Sequence, residues 1–191
     1  MKKYELTEET INVFGKTLHR IRATRDFSNV HAGDLGGFIE NELNLSHDRD
    51  TWVYGNALVY GDARVGGKAL VSGDARVGGD AWVGGNALVS GNARVGGNAL
   101  VSGNARVYGN ALVKGPRDIY WISCIGSRDG TTTFFRNANN GISVSCGCFY
   151  GTIDEFAAAV TKTHGDNEHA QAYRHAIEIA KLRIKLEDAE S

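Results

Sequence analysis

Residues 55–77 read GNALVYGDARVGGKALVSGDARV, one short phrase rewritten with small edits. Val recurs every six residues from Val53 to Val113, and Ala stands four residues after each Val from Ala57 to Ala111. A helical period of about 3.6 drifts out of phase with such a repeat within two units, so this stretch is not a helix. Ala-x-Val alternates as a short strand does, Ala and Val to one side and the middle residue to the other. The Gly-Asn and Gly-Asp pairs between them are turn formers, because both residue types tolerate positive φ. Each unit is therefore a strand and a tight corner. It is too small to bury anything alone, so the units must stack as a solenoid. Three units close a triangular coil, which sets residue i above i+18, with coils about 4.8 Å apart. The interior is predicted to be columns of Val capped by columns of Ala.

The units Val65-Gly66-Gly67-Lys68-Ala69-Leu70 and Val83-Gly84-Gly85-Asn86-Ala87-Leu88 resemble the hexapeptide-repeat proteins, whose pattern runs aliphatic, often Gly, two variable, small, variable. The resemblance covers roughly residues 35–115. It implies a mainly β fold, a left-handed parallel β-helix, ordinarily a homotrimer; the hand comes from the resemblance, not from the period. The wider stretch LHRIRATRDFSNVHAGDLGGFIENELNLSHDRDTWVYGNA (18–57) resembles a phage and prophage branch of these proteins, whose members are often labelled transferases from the fold alone.

Around the solenoid the chain divides into three parts. Residues 1–34 read as a β-rich cap in which Val13, Leu18 and Ile21 are placed to cover the open end of the solenoid. An uncovered end would expose strand edges. In 35–115, Ile39 and Leu45 keep the six-residue step, and SHDRD inserts two residues before Thr51 and Val53 resume it. Residues 116–191 read as a small α+β module of pattern β-β-β-α-α. Its strands are expected over 118–125, 131–136 and 142–149. A first helix starts at Thr152, with Glu155 completing a capping box, and ends at Gly165. A second, over about 167–187, carries a wide apolar face including Ile177, Ile179, Leu182 and Leu186, enough for two packing surfaces. The module is small for independent stability and is expected to lean on the solenoid or on its copies.

Composition narrows the function classes. With 25 Gly and one Pro the chain is neither collagen-like nor Pro-rich and disordered. A net charge of −1 gives no bulk electrostatic case for a nucleic-acid polymer or an anionic membrane. No signal-like N-terminus and no long apolar run is present, so a cytoplasmic protein is expected, in the host cytoplasm if phage-encoded. The three cysteines, Cys124, Cys146 and Cys148, are then expected as thiols.

The resemblance implies acyl transfer from acyl-CoA with a His as general base. Between Gly55 and Gly115 there is no His and no thrown-out loop. His47, in SHDRD, is the weak catalytic candidate; His31 is weaker, and His164, at a helix end, has a structural reading. Cys124, Cys146, Cys148 and His164 are weak zinc candidates, because Cys-x-Cys is not the usual knuckle spacing. Alternate strand positions would set both CGC thiols on one face. No cofactor is implied: the GxGxxG-like matches and the Asn/Asp corner ladder both belong to the repeat.

The outward residues carry the remaining signal. Every third unit shares a face: Trp52, Leu70, Leu88 and Arg106 on one; Leu58, Arg76, Arg94 and Leu112 on another; Arg64, Trp82 and Leu100 on the third. Apolar stripes of this kind mark interfaces, so a homotrimer is expected. Arg76 and Arg94 stand one above the other and need acidic partners or an anion. A small anionic, nucleotide-like ligand would suit Arg76, Arg94, Arg64 and Arg106, with Trp82, Tyr54, Tyr60 and Tyr108 available to stack. Arg136, Tyr120, Trp121, Phe135 and Lys162 are a second candidate pocket, although alternation keeps Tyr120 and Trp121 from both facing it. The reading is a non-enzymatic homotrimeric binding protein that holds its ligand between subunits, as phage proteins that sequester host immune nucleotides do. The alternatives are an acyltransferase and a structural or protein-binding scaffold.

Overall fold

The computed structural model describes residues 2–187. The chain opens with a hairpin of β1 (Tyr4–Val13) and β2 (Lys16–Ala23), then β3 (Leu35–Ile39) and one 3-10 turn (Glu42–Asn44). Two-residue strands follow at a fixed step: β4 (Trp52–Val53), β5 (Leu58–Val59), β6 (Arg64–Val65), β7 (Leu70–Val71), β8 (Arg76–Val77) and β9 (Trp82–Val83). The series continues through β10 (Leu88–Val89), β11 (Arg94–Val95), β12 (Leu100–Val101), β13 (Arg106–Val107) and β14 (Leu112–Val113).

The strands stack in parallel at the eighteen-residue step, in register: Leu58 against Arg76, Arg76 against Arg94, Arg94 against Leu112. One face is β3-β5-β8-β11-β14, the second β4-β7-β10-β13 and the third β6-β9-β12. Every Val from Val53 to Val113 and every Ala from Ala57 to Ala111 is buried. The predicted Val and Ala columns are present. The corners need glycine for two reasons. At Gly85 φ is +63°, and a Cβ would lie 2.8 Å from the Gly103 nitrogen of the next coil. That proximity lets Asn86 N–H donate to Gly103 O at 2.7 Å, and Asn86 Nδ2 donates to Asn104 Oδ1 at 3.0 Å. The Asn/Asp ladder thus ties corner to corner.

The N-terminal hairpin works on two sides. Ile21 and Tyr4 join the solenoid core and close its first coil, with Tyr4 Oη donating to Leu45 O at 2.7 Å. Leu18 and Val13 instead pack outside, against Phe38 and Leu58. This corrects two expectations. Leu18 and Val13 do not cap the open end, and Trp52 and Leu58 are covered within the chain and are not part of the apolar stripes expected to face a neighbouring subunit. Trp52 is fully buried beside Tyr4, Phe27 and Tyr54, and Leu58 is 7% exposed.

The far end is closed by an antiparallel sheet, β15 (Ile119–Ile125), β16 (Gly130–Arg136), β17 (Ile142–Cys146) and β18 (Phe149–Thr152), in that order. It has four strands where three were expected. Gly147, at φ +58°, turns the chain so that Cys146 pairs with Phe149, and 142–149 is not one strand. Ile119 and Phe135 enter the solenoid core, with Trp121 packed on it. On the sheet's other side Phe134 and Val144 pack under α1 (Ile153–His164) and α2 (Glu168–Arg183), against Phe156, Val160 and Ile177. Arg106 N–H donates to Thr133 Oγ1 at 3.0 Å and Ala138 N–H to Asn110 O at 2.9 Å across the junction.

Thr152 and Glu155 form the expected capping box, and Gly165 ends α1 at φ +56°. α2 stops at Arg183, short of 187, because Ile184 is extended and turns inward to the core. Ile179, Leu182 and Leu186 remain exposed. Among the described residues no helix is long and apolar enough to cross a membrane.

Candidate functional site

The arginine pair lies on the face that begins at β3. Arg76 and Arg94 are direct neighbours in parallel register, and they line a groove of about 130 Å³ with Phe14, Tyr60, Leu112 and Lys114. The groove has a physical origin in the repeat. Positions 60, 78, 96 and 114 form one corner column, occupied by Tyr, Gly, Gly and Lys. The two glycines leave room, and the Tyr60 ring lies across Gly78, where a Cβ would meet it at 2.5 Å. The tip of the β1–β2 hairpin supplies Phe14, 75% exposed at φ +53° and 6.0 Å from the Tyr60 ring.

Neither Arg76 nor Arg94 makes an ion pair among the described residues, whereas Arg20 and Arg22 on the hairpin are held by Glu9 and Glu5. Lys114 lies 3.9 Å from Glu187, a loose contact on an exposed side chain. Three cations therefore line one groove beside two aromatic rings. Guanidinium groups fork onto phosphate or carboxylate oxygens, and the rings offer flat apolar surface. Phe14 and Lys114 were missed as site residues. Lys114 was legible, since it continues the Tyr60 column. Phe14 was not, because a hairpin tip crossing the outer face leaves no periodic trace.

The other candidate residues do not converge there. Arg64, Trp82 and Arg106 are on the other two faces, all exposed, Trp82 by 56%. Arg136 is buried and bridges Glu187 and Asp118, so it is occupied within the chain. Arg136 in turn holds the Glu187 carboxyl below the usual carboxylate range. Tyr120 stacks on Phe134 at 6.0 Å, Phe135 faces the solenoid, and Lys162 is exposed on α1. The expected second pocket of Arg136, Tyr120, Trp121, Phe135 and Lys162 is not formed. Tyr120 and Trp121 do pack to opposite sides of β15, the former against the helical core and the latter against the solenoid. Both still reach one small groove with Leu100 and Arg183, because β15 is the edge of its sheet.

His47 sits where the SHDRD insertion meets the hairpin. Its ring stacks on Tyr4 at 4.2 Å and Nδ1 accepts the Lys3 backbone N–H at 3.3 Å. Burial lowers its pKa against the opposing pull of Glu42, so the ring is neutral near pH 7. A neutral ring that accepts at Nδ1 carries its proton on Nε2. The nitrogen left over is thus a donor, the wrong form for a general base. Beneath it Lys3 is fully buried, donating from Nζ to Thr51 O at 2.7 Å and to Asp48 O and Arg49 O at 3.4 Å. Burial, with added repulsion from Arg25, lowers the Lys3 pKa to about 8.

The cysteines are spread along the module. Cys124 and Cys148 are exposed. Cys146 is half-buried, its sulfur 3.1 Å from Thr132 Oγ1 and 3.6 Å from Tyr173 Oη. The turn at Gly147 removes the shared strand face expected for the CGC thiols. His164 packs near His169 and Tyr173 at 5.7 and 5.8 Å. Among the described residues no three His, Cys, Asp or Glu side chains gather as a metal-ligand set.

A family model described as the YdcK beta solenoid repeat matches residues 53–67 and again 93–107, both inside the stacked strands. No curated protein matches the chain. The match and the architecture agree on a β-solenoid repeat protein.

Proposed function

We propose that this chain is a non-catalytic binding protein that holds a small phosphate-bearing, nucleotide-like anion in the groove of Arg76, Arg94 and Lys114. One observation carries the reading: two arginines held in adjacent coils by strand register, with no carboxylate paired to either among the described residues. With Arg94 exposed and Arg76 half-buried, the pair repels by only about 1 kcal/mol in solvent. A dianion reverses that sign. Phe14 and Tyr60 give a base or other flat ring its stacking surface. Sequestration of a host nucleotide signal is the role this site would suit in a phage-type protein. Association into a homotrimer belongs to the same proposal, supported by Trp82 and Leu100, 56% and 45% exposed on the third face. The groove is lined from within one chain, not between subunits as expected from the sequence, so ligand binding in this proposal does not require the trimer.

Titration calorimetry with cyclic, linear and ADP-ribose-type nucleotides, alongside inorganic phosphate, tests the reading. Binding that the double change Arg76→Ala/Arg94→Ala weakens by at least tenfold supports it. Absence of binding by every nucleotide at tens of micromolar removes it. Native mass spectrometry reads the oligomer at the same time, and a strictly single-subunit species removes the trimer. The exposed Ile179 and Leu182 on α2 favour protein docking as a second reading, with no small ligand required.

A further inference from the structure

A mainly apolar, half-open space lies in the C-terminal module, away from the arginine groove. A cavity of about 310 Å³ opens between the β15–β16 turn, the β17–β18 turn and α1. Its walls include Ile125, Phe149, Phe156 and Val160, and Tyr173 forms one side. Volumes of this order are those of small-molecule sites. Its aromatic wall is a packed set of rings: Phe156 lies 5.2 Å from Phe149 and edge-on to Tyr173 at 5.4 Å. The Tyr173 hydroxyl is fixed within the chain, against Gly126, where a Cβ would fall 1.9 Å from it, and 3.6 Å from Cys146 Sγ. It is not free to be a ligand's main polar contact.

Arg128 is different. It lines the same cavity from the β15–β16 turn, is exposed, and makes no ion pair among the described residues. His164, which also lines it, ends α1, where the helix dipole disfavours an anion, and Cys146 and Cys148 bring no positive charge. This leaves Arg128 as the partner for a negative head.

We propose that this cavity binds a small aromatic carboxylate, its ring among Phe149, Phe156 and Val160 and its carboxylate on Arg128. The site is independent of the arginine groove of the solenoid and of the nucleotide reading.

The test is calorimetric titration of the full chain with 2-naphthoate and with uncharged 2-naphthol. A ligand of this size reaches a Kd on the order of 100 μM. Arg128→Ala weakens naphthoate about tenfold, the worth of a charge-assisted hydrogen bond, and leaves naphthol unchanged. Ala159→Phe, a half-exposed lining position, fills the space and abolishes binding of both, with a circular-dichroism melt confirming the fold. The Arg76→Ala/Arg94→Ala protein binds naphthoate as the parent does. The cavity assignment falls if naphthoate shows no binding at millimolar concentration, or binds the folded Ala159→Phe protein undiminished. An Arg128→Ala protein that binds naphthoate like the parent overturns the carboxylate assignment. If neither reagent binds the parent but Cys146 reacts with a bulky aromatic maleimide as fast as Cys148, the space is open solvent and the proposal is withdrawn.

Discussion

The solenoid and the C-terminal module solve the same problem by opposite means. In the solenoid each Val is buried among near-identical neighbours one coil above and below, and each corner repeats one backbone conformation. Stability is spread thinly, and no side chain is unique. In the module a few large residues from four strands and two helices meet once. Phe134, fully buried, touches the rings of both Tyr120 and Phe156. The repeat gains tolerance of side-chain change at the cost of an unforgiving backbone; the module has the reverse balance.

Substitutions test that contrast, and the largest effect belongs to the module. Phe134→Ala should cost about 3–5 kcal/mol in urea unfolding, through lost burial and a cavity. The solenoid's equivalent weakness is a glycine. Gly85→Ala should cost about 2–3 kcal/mol, combining left-handed strain with displacement of the next coil. Gly130→Ala in the module has open space around its Cβ and no positive φ, and should stay within about 0.5 kcal/mol. Equal losses at Gly85 and Gly130 would erase the comparison. Loss of the α1 cap in Thr152→Ala should cost about 1 kcal/mol.

A different kind of test is a pH dependence at the buried Lys3. Its folded pKa is lowered to about 8 from the ordinary 10.5. Between those values the unfolded chain binds more protons than the folded one, so stability rises as pH increases through this window. The Lys3 contribution is unfavourable below about pH 8 and is relieved above 10.5. Melting temperatures of Lys3→Met should lack the rise. A rise of the same size in Lys3→Met would assign it to other groups.

Much of the fold was legible because a six-residue period repeats one local decision many times, and errors cannot accumulate. The Val and Ala columns, the register of Arg76 over Arg94 and the capping box of Thr152 all followed from short spacings. What failed depended on distant contacts. Trp52 and Leu58 look outward by alternation, and so they are; but Tyr4, Phe27 and Leu18 come over them from the N-terminal segment. Cys146-Gly147-Cys148 fits both a strand and a turn, and only the pairing of Cys146 with Phe149 chooses the turn. Arg136 looks available until Glu187 and Asp118 are seen on it.

The chain's own text thus determined the coil, its stacking step and the arginine column, since those depend on residues that meet through a fixed local geometry. Tertiary structure alone decided which outward residues stay in solvent, that Phe14 and Lys114 join the arginines, and that a cavity opens beneath α1. Those are outcomes of segments far apart in sequence arriving at one place, and no spacing records where a hairpin tip or a helix end will land.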